Sequence, residues 1–251
     1  MSKIALITGA NRGLGRATAL ALATAEVDLI ITYRNNAEEA AALVEEVTKL
    51  GRRAVAFQLD TGKLEQFDGF VASVTAALDS SWGRQSFDYL VNNAGVGLAG
   101  SIAETPVEVF DELLNVHFRG VFFLTQKLLP LIADGGKIIN LSTGLSRFVA
   151  DGYAAYASMK GAIEVFTRYL AKEVAPRGIT ANVVAPGATG TDFGGGHMRD
   201  NDQVRDYLAS QIAMGHVGRP EDIGGVIAML LTSPTNWITA QRIEASGGQS
   251  L

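Results

Sequence analysis

Tyr156 and Lys160 are the side chains whose types and spacing best suit proton transfer in this 251-residue sequence. They lie four residues apart, so on a helix they would share one face. A free tyrosine has a pKa near ~10, too high for acid–base work at neutral pH, and a nearby ammonium lowers that pKa because it favours the tyrosinate. The same spacing is common in ordinary surface pairs, so a proton-transfer site needs support from other parts of the chain.

A glycine-rich segment near the N-terminus is the second chemical signal. It reads TGANRGLG over residues 8–15, between a short apolar run and an Ala/Leu-rich helical pattern. Glycines permit a tight turn and let the backbone approach a pyrophosphate, which the free N–H groups and the positive end of a helix attract. This placement favours a phosphate-binding turn over a merely flexible one. The residues assigned to it are Gly9, Asn11, Arg12, Gly13, Leu14 and Gly15.

The end of the second predicted strand, about 20 residues after the glycines, distinguishes between dinucleotides. NAD-preferring sites place an acidic residue there on the ribose 2′-OH, but this stretch reads TYRN and holds no carboxylate. Arg34 in this stretch and Arg12 in the glycine turn carry guanidinium groups, which suit a 2′-phosphate. Either arginine alone would more often be a solvated charge. The two together, without an acid, predict NADP(H) as the cofactor.

The hydrophobic pattern supplies an α/β scaffold for these residues. Continuous apolar strands, each followed by an amphipathic helix, imply a parallel sheet with helices on both faces. Right-handed crossovers then give a doubly wound, mostly parallel Rossmann sheet of seven strands. Strands are predicted at 4–7, 27–33, 54–59, 89–91, 137–141, 179–184 and 242–245, and helices at 13–25, 37–50, 64–78, 106–132, 153–175, 203–213 and 220–231.

Composition and charge exclude several classes of protein. Hydrophobic residues make up 47% and charged residues 19%, which excludes a disordered charged tail. The 21 Lys and Arg residues against 26 Asp and Glu residues give a net charge of −5, which argues against nucleic-acid binding. The sequence has no cysteine, so it cannot form disulfides. It also lacks any run of ~18 apolar residues, the length that a membrane-spanning helix would need. We expect a cytoplasmic globular protein.

A single domain over residues 1–251 is predicted, because the chain shows no repeat, low-complexity tract or proline-rich linker. Glycines cluster at 187–198, and a long irregular stretch in a tightly alternating chain is more often a lid than a linker. A substrate lid is therefore expected near 187–214. The three histidines lack metal-ligand spacing, so no metal site is predicted. His197 is expected at the mouth of the substrate pocket.

The set of motifs resembles the short-chain dehydrogenase/reductase family, in its compact single-domain type. It comprises the glycine turn, written TGxxxGxG in the family, the run NNAG at 92–95, the Tyr156/Lys160 pair, and Pro-Gly at 186–187 after the sixth strand. Each motif is weak alone, but together they follow the family order along essentially the whole chain. The resemblance implies an NADP-dependent oxidoreductase that transfers a hydride between the nicotinamide and a carbonyl or secondary alcohol.

The resemblance also implies a role for each catalytic residue. Tyr156 would protonate the carbonyl oxygen, and Lys160 would lower the pKa of Tyr156 and hold the nicotinamide ribose hydroxyls. Asn115 matches the helix asparagine that anchors a water for proton relay, a role compatible with a local kink or backbone hydrogen bond. The family serine thirteen residues before the tyrosine is Thr143 here, whose hydroxyl can donate the same hydrogen bond. Ser142 stays open as the donor if the register slips by one.

Further contacts with the cofactor follow from the same resemblance. Asp60, after the third strand, would contact the adenine, although it could instead be the N-cap of the helix that follows. Thr191 matches a family threonine that binds the nicotinamide carboxamide. The remaining residues would line the underside of the cofactor or edge the nicotinamide, and they are Asn92, Ala94, Gly95, Pro186, Gly187 and Thr189.

The predicted substrate pocket is mostly apolar, which favours a small uncharged ketone or aldehyde, or an apolar alcohol in the reverse direction. Arg147 and Arg199 would change this expectation only if both pointed inward. The small residues on the Tyr156 helix allow close packing, either inside the fold or across a two-fold axis. Because family members usually form tetramers, the resemblance implies a homo-oligomer, although the sequence does not separate a dimer from a tetramer. The residues assigned to the substrate are Thr143, Leu145, Phe148, Tyr153 and Phe193.

Two alternatives to this carbonyl reductase stay open. A 3-ketoacyl thioester reductase would use the same chemistry but would need a basic patch for an acyl carrier, which the sequence does not locate. A nucleotide-binding sensor or scaffold could keep the fold without the reaction. The presence of both Tyr156 and Lys160 argues against the sensor. A dehydratase or epimerase is disfavoured by the compact length and the glycine spacing.

Overall fold

The seven predicted strands form one sheet in the computed structural model, which describes residues 2–251 without the side chains of His197 and Met198. The strands are β1 (Ile4–Ile7), β2 (Asp28–Tyr33), β3 (Ala54–Gln58), β4 (Phe87–Asn92), β5 (Ile132–Leu141), β6 (Thr180–Pro186) and β7 (Arg242–Ala245). Their order is β3-β2-β1-β4-β5-β6-β7, and all neighbouring strands pair in parallel. The predicted doubly wound Rossmann sheet is confirmed.

Helices cover both faces of this sheet, as predicted. They are α1 (Gly13–Thr24), α2 (Ala37–Lys49), α3 (Phe67–Trp82), α4 (Val107–Leu114), α5 (Gly120–Leu128), α6 (Ala154–Val174), α7 (His197–Asp200), α8 (Asp202–Ser210) and α9 (Pro220–Thr232). Ala5 and Ile7 of β1 pack in one buried cluster with α1, α2 and α9. Ile4 and Leu6 pack in a second cluster with α3, α5 and α6. Because successive strand residues face opposite sides, a strand buried on both faces requires a continuous apolar run.

The strand order reverses beside β1, which pairs with β2 on one side and with β4 on the other. The connections that leave β1 and β4 therefore diverge, and the crevice between them is where sheets of this kind bind ligands. The glycine turn follows β1, and the run at 92–95 follows β4. Topology alone thus brings these two motifs to the same edge of the sheet.

The segment 106–132 differs most from the prediction, which gave it one continuous helix. The structure instead has α4, a π-helical turn (Asn115–Arg119), α5, a short 3₁₀ turn and then the start of β5. The bulge lies directly before Gly120, which packs so closely on the backbone after β3 that a Cβ there would lie 2.0 Å from the carbonyl oxygen of Thr61. Hydrophobic periodicity does not reveal such a bulge, and π-bulges frequently mark functional sites.

The segment after β6 is irregular before α7 and α8, as expected for a lid. It contains a 3₁₀ turn at Phe193–Gly196, and before this turn Thr189 makes an isolated parallel bridge with Gly218. Its function as a lid over a substrate and the single-domain assignment both remain predictions. None of the helices in the part of the chain that the structure describes is long and apolar enough to cross a membrane.

Candidate active site

The glycine turn lies where β1 ends and α1 begins, and its backbone requires glycine. Gly9 and Gly13 have φ values of 63° and 55°, a left-handed conformation that side chains disfavour. A Cβ on Gly15 would lie 2.4 Å from the carbonyl oxygen of Gly9, so α1 packs directly on the turn. Arg12 is the N-cap of α1 but makes no side-chain capping hydrogen bond. The first N–H groups of the helix are therefore left available to a ligand.

A side-chain clamp holds the glycine turn against the end of β4. The amide of Asn93 donates to the carbonyl oxygens of Thr8 (2.8 Å) and Gly9 (3.0 Å). In return, the Thr8 hydroxyl accepts hydrogen bonds from the backbone N–H groups of Asn93 and Ala94, each at 3.0 Å. Asn93 was not among the residues predicted for the site, although its position directly after a buried strand was an available signal.

Asn92 points its side chain away from this crevice and into the protein. Its amide donates to the hydroxyl of Thr125 and to the side-chain oxygen of Asn140, at 3.0 and 2.8 Å. The Asn92 side chain therefore braces β4 against α5 and β5. Only the backbone of Asn92 remains to line the predicted cofactor site.

Both arginines predicted to bind a 2′-phosphate are accessible to solvent. Arg12 is exposed and, among the described residues, makes no ion pair or side-chain hydrogen bond. Arg34, just after β2, is about half exposed, and its Nη1 lies 3.7 Å from Oε1 of Glu112. An exposed pair of this kind contributes only about 0–1 kcal/mol. A phosphate could therefore replace Glu112 as the partner of Arg34 at little cost.

Tyr156 and Lys160 share one face of α6, and both are buried. Nζ of Lys160 lies 5.8 Å from the centroid of the Tyr156 ring and donates to the carbonyl oxygen of Leu141 at 2.8 Å. Burial lowers the pKa of Lys160 to about 7. Burial also raises the pKa of Tyr156, and the nearby hydroxyl of Thr143 opposes that rise only in part.

The raised pKa of Tyr156 differs from the predicted lowering by Lys160. In this structure the phenol is desolvated, while the ammonium is directed at Leu141 rather than at the tyrosine oxygen. Burial therefore outweighs the expected effect of the cation. Tyr156 is held in the protonated form, which is the form that can donate a proton.

Thr143, rather than Ser142, is the hydroxyl residue next to Tyr156. Thr143 is the N-cap of a 3₁₀ turn, and its hydroxyl lies close enough to Tyr156 to lower the pKa of the phenol against the effect of burial. The Ser142 hydroxyl is buried and donates to the carboxylate of Glu164 on α6 at 2.6 Å. Because successive side chains at the end of a strand point to opposite faces, the hydroxyls of Ser142 and Thr143 lie on different sides of the sheet. The thirteen-residue spacing to Tyr156 could not by itself establish which of the two faces the tyrosine.

The π turn places His117, and not Asn115, against Tyr156. The ring of His117 meets that of Tyr156 edge-on, with 5.1 Å between the ring centroids. The side-chain oxygen of Asn115 accepts a hydrogen bond from Arg119 at 3.4 Å. Within the described residues Asn115 makes no hydrogen bond to Tyr156 or Lys160, so its relay role stays a prediction that no contact supports.

Apolar side chains surround the tyrosine on its remaining sides. The rings of Phe193 and Tyr153 lie 5.7 and 6.3 Å from that of Tyr156, and Leu145 packs in the same cluster. Phe148 lies farther out and packs on Gly144. Four of the five residues assigned to the substrate, Thr143 included, thus lie around Tyr156, and the segment after β6 supplies one of them.

Arg147 and Arg199 are each held by carboxylates. Arg147 forms a two-point ion pair with Glu244 at 2.6 and 2.8 Å. Arg199 pairs with Asp192 and with Asp200. Both guanidinium groups are therefore neutralised by partners of the chain itself, and the mostly apolar character of the pocket stands.

Other residues assigned to the cofactor lie at or after the carboxyl ends of β3 and β6, at the same edge of the sheet as the glycine turn. Pro186 is the last residue of β6, and the N–H of Ala188, after Gly187, donates to Gln249 at 2.8 Å. Asp60 accepts a hydrogen bond from the N–H of Gly62 in a tight turn. Asp60 is not the N-cap of α3, because that helix begins only at Phe67.

The chain is similar over nearly its whole length to proteins of one family. A family model described as enoyl-(acyl carrier protein) reductase matches residues 9–250. A short-chain dehydrogenase/reductase of Pestalotiopsis microspora is 34% identical over 260 aligned residues, which cover 98% of this chain and 94% of the relative. This chain belongs to the short-chain dehydrogenase/reductase family.

Two further relatives of this short-chain dehydrogenase/reductase are named after the reactions that they catalyse. The 3-oxoacyl-(acyl-carrier-protein) reductase FabG of Staphylococcus aureus is 33% identical over 252 residues, covering 99% of this chain and 98% of the relative. The solved angucycline C-6 ketoreductase LanV with bound NADP is 35% identical and has a TM-score of 0.93, with 99% and 95% of the two chains covered. The predicted family and oxidoreductase class are confirmed, and these relatives agree with NADP(H) as the cofactor.

The residues of this short-chain dehydrogenase/reductase fit a dinucleotide. The uncapped start of α1 and the close backbone at Gly15 suit a pyrophosphate, and Arg12 and Arg34 suit a 2′-phosphate. Thr191 is buried beside Gly13, so the segment after β6 returns to the glycine turn. Among the described residues no group of three or more His, Asp or Glu could hold a metal. The side chain of His197, which was expected at the mouth of the substrate pocket, lies outside the described residues.

An ionic network that the sequence analysis missed holds Thr143 in this short-chain dehydrogenase/reductase. One carboxylate oxygen of Glu164 accepts from Ser142 and Ser146, each at 2.6 Å, and from Nε of Arg242 at 2.8 Å. Arg242 also donates to the carbonyl oxygen of Thr143 at 3.1 Å. The available signal was a glutamate on the inward face of α6, because carboxylates are seldom buried without partners.

Proposed function

We propose that this chain is an NADPH-dependent carbonyl reductase that acts on a small, largely apolar ketone. The observation that carries the proposal is that a threonine hydroxyl, a buried tyrosine and a buried lysine lie together. Thr143 is close enough to Tyr156 to lower the pKa of its phenol, and Nζ of Lys160 lies 5.8 Å from the centroid of the Tyr156 ring. Two adjacent O–H groups can both donate to one carbonyl oxygen. Their position at the crevice of the glycine turn is where hydride transfer from a bound nicotinamide would take place.

Each residue of the site has a distinct part in this reaction. NADPH, when bound, supplies the hydride to the carbonyl carbon. Thr143 donates a hydrogen bond that orients the carbonyl and stabilises the negative charge that develops on its oxygen. Tyr156 transfers its proton to that oxygen. Lys160, whose pKa of about 7 lets it exist as ammonium or amine near neutral pH, returns a proton to the tyrosinate.

The surroundings of Tyr156 favour an apolar substrate. Phe193, Tyr153 and Leu145 contact the same cluster as the tyrosine. A groove of about 630 Å³ opens next to them, between the segments 100–103 and 149–158, and Asp151 is the one charged residue among its described lining residues. A hydrophobic body of the substrate would lie along this groove while its carbonyl faces Thr143 and Tyr156.

A 3-ketoacyl thioester reductase is the second candidate, and the similarity to FabG favours it. A thioester places its ketone on a short chain that the same groove could hold. The two candidates share the reaction and differ in the substrate alone. A sensor or scaffold, in contrast, would turn over no carbonyl compound.

A panel of apolar ketones, acetoacetyl thioesters and sugars separates these candidates, with the decrease of NADPH absorbance as the measurement. We expect the apolar ketones to give the highest kcat/KM and the sugars to give no measurable rate, because the groove lacks paired polar groups to replace sugar hydration. A preference for the thioester would support the second candidate. Binding of NADPH without turnover of any compound would defeat both.

The cofactor preference has a separate test in Arg34→Asp. A charge-assisted hydrogen bond contributes about 1.5–3 kcal/mol, so the variant should bind NADPH roughly 10- to 100-fold more weakly. NADH lacks the 2′-phosphate, and its affinity should change by less than about threefold. Fluorescence titration of both nucleotides measures the two dissociation constants.

Lys172→Asp, at the exposed C-terminal end of α6, is the matched control for this charge reversal. It changes the net charge by the same amount at a distance from β2. Equal losses of NADPH and NADH affinity in Arg34→Asp, or an equal effect of Lys172→Asp, would contradict the assignment of Arg34 to the 2′-phosphate.

A homotetramer completes the proposal. Val165 and Tyr169 of α6 are exposed apolar side chains on one surface, and Met229 and Trp237 form a second exposed set near β7. Two separate apolar surfaces suit two two-fold interfaces, which together give a tetramer. Light scattering of the protein in solution measures its mass, and a monomer would contradict this assignment.

The cytoplasmic location expected from the sequence stays a prediction.

A further inference from the structure

His117 is a buried polar residue to which the proposed reaction has so far given no part. It is 1% exposed, and its ring packs edge-on against Tyr156. The π turn after α4 directs it inward, and Gly95 makes room for it, since a Cβ on Gly95 would lie 2.8 Å from Cε1 of His117. The backbone on both sides is therefore shaped to hold an imidazole beside the tyrosine.

The contacts of Nε2 determine which nitrogen of His117 carries the hydrogen. Nε2 lies 2.8 Å from the carbonyl oxygen of Val96, which can only accept. The N–H of Val96 lies farther from the same nitrogen, at 3.3 Å. If Nε2 carried no hydrogen, its lone pair would face a lone pair of the Val96 carbonyl oxygen at 2.8 Å, which is repulsive. We therefore assign the hydrogen to Nε2, which leaves Nδ1 as an acceptor.

Nδ1 of His117 is buried and has no hydrogen-bond partner among the described residues. Burial, together with the charge of Lys160, lowers the pKa of His117 to about 3. The ring is therefore neutral at neutral pH and adds no positive charge beside Lys160. A buried acceptor without a donor costs free energy, so its presence calls for a reason.

We propose that His117 is a positioning residue for the supply of protons to Tyr156, a role that rests on the carbonyl reduction proposed above. When Tyr156 protonates the carbonyl oxygen, its O–H bond breaks and the O–H bond of the alcohol forms. The Lys160 ammonium returns a proton to the tyrosinate and is recharged from solvent. Nδ1 accepts a hydrogen bond from the donor on this path, which is the ammonium or a water bound to it, and holds that donor in place without changing protonation state.

Asn115 is less well placed for this role. Its backbone carbonyl accepts from the N–H of Gly120 within the π turn, and its side chain contacts Arg119. Neither of these hydrogen bonds connects Asn115 with Tyr156 or Lys160. The ring of His117, in contrast, packs against Tyr156, feels the charge of Lys160, and carries a buried acceptor that has no partner among the described residues.

Two substitutions separate this role from a merely structural one. The amide of asparagine reaches the position of Nδ1, whereas that of glutamine reaches the position of Nε2. His117→Asn therefore keeps an acceptor near Tyr156 and loses the contact with Val96, and His117→Gln does the reverse. We expect His117→Asn to keep kcat within about threefold of the wild type and His117→Gln to lose roughly 10- to 100-fold. KM and the affinity for NADPH should change by less than about twofold in both.

Two spectroscopic and kinetic measurements report on the proton path itself. The solvent deuterium isotope effect on kcat should rise in His117→Gln, because proton supply becomes slower than hydride transfer, and should stay at the wild-type value in His117→Asn. Nitrogen NMR of the free protein should show a neutral ring with hydrogen on Nε2 at pH values where a free histidine is half protonated. His216→Gln, at an exposed histidine, is the matched control and should behave as the wild type.

The opposite ranking, with His117→Gln active and His117→Asn inactive, would show that the contact with Val96 matters and would overturn the inference. Wild-type activity in both variants, or a loss confined to Asn115→Ala, would overturn it as well. Wild-type turnover is measured alongside. A wild type that reduces no ketone defeats the proposed function, whereas an active wild type with insensitive His117 variants defeats this inference alone.

Discussion

The Tyr156→Phe variant should fold and bind NADPH but lose roughly 10²- to 10⁴-fold in kcat for ketone reduction. The substitution removes only the hydroxyl, and the ring keeps its contacts with His117, Tyr153 and Phe193. The glycine turn and the arginines that are assigned to the nucleotide do not depend on that hydroxyl. Steady-state kinetics measures the loss, and fluorescence titration measures the retained affinity for NADPH.

Tyr169→Phe is the matched control for Tyr156→Phe, because Tyr169 lies on the same helix with its side chain exposed. It should keep wild-type kcat. Near-normal turnover in Tyr156→Phe would remove the proton donor from the proposed mechanism and leave only the nucleotide site. Weakened NADPH binding of the same size as the loss in kcat would show instead that the hydroxyl serves the structure of the cleft.

The Thr143→Val variant should lose roughly 10²- to 10³-fold in kcat, the effect of removing one hydrogen-bond donor to a developing oxyanion. Valine has nearly the shape of threonine, so packing around Thr143 is kept. The Glu164 and Arg242 network acts on the backbone of residue 143 and on Ser142, and should persist. Thr143→Ser restores a hydroxyl and should recover most of the activity.

Ser142→Ala distinguishes the two candidate hydroxyls. Ser142 donates to Glu164, so its loss should lower the free energy of unfolding by about 1 kcal/mol, and kcat should fall far less than in Thr143→Val. Thermal unfolding and steady-state kinetics measure the two effects. An inactive Ser142→Ala together with a near-normal Thr143→Val would transfer the catalytic role to Ser142.

Local pattern was sufficient for the scaffold. Apolar runs predicted the inner strands because a strand buried on both faces needs apolar residues throughout. The edge strand β7, which reads RIEA and is only partly buried, gave a weaker signal, although its predicted bounds and those of β1 agree with the structure. The glycine turn and the Tyr156/Lys160 spacing were likewise visible, because each depends on neighbours along the chain. Bounds were least accurate at β5, whose glycines and charged residue conceal its first half.

The side chains that meet at the reacting centre depended on contacts between distant segments. The π turn that holds His117 ends beside Gly120, which packs against the backbone of Thr61. Glu164 and Arg242 hold Thr143 although 78 residues separate the two charged partners. No local periodicity encodes such contacts.

The sequence by itself determined the Rossmann scaffold, the nucleotide turn and the tyrosine–lysine pair, because short-range spacing and burial dictate each of them. Only the tertiary structure decided that Thr143 rather than Ser142 reaches Tyr156, that Asn93 clamps the glycine turn and that His117 lies against the tyrosine. The physical reason is that the direction of a side chain at a strand end or a helix bulge follows from what packs behind it, and those atoms come from far along the chain.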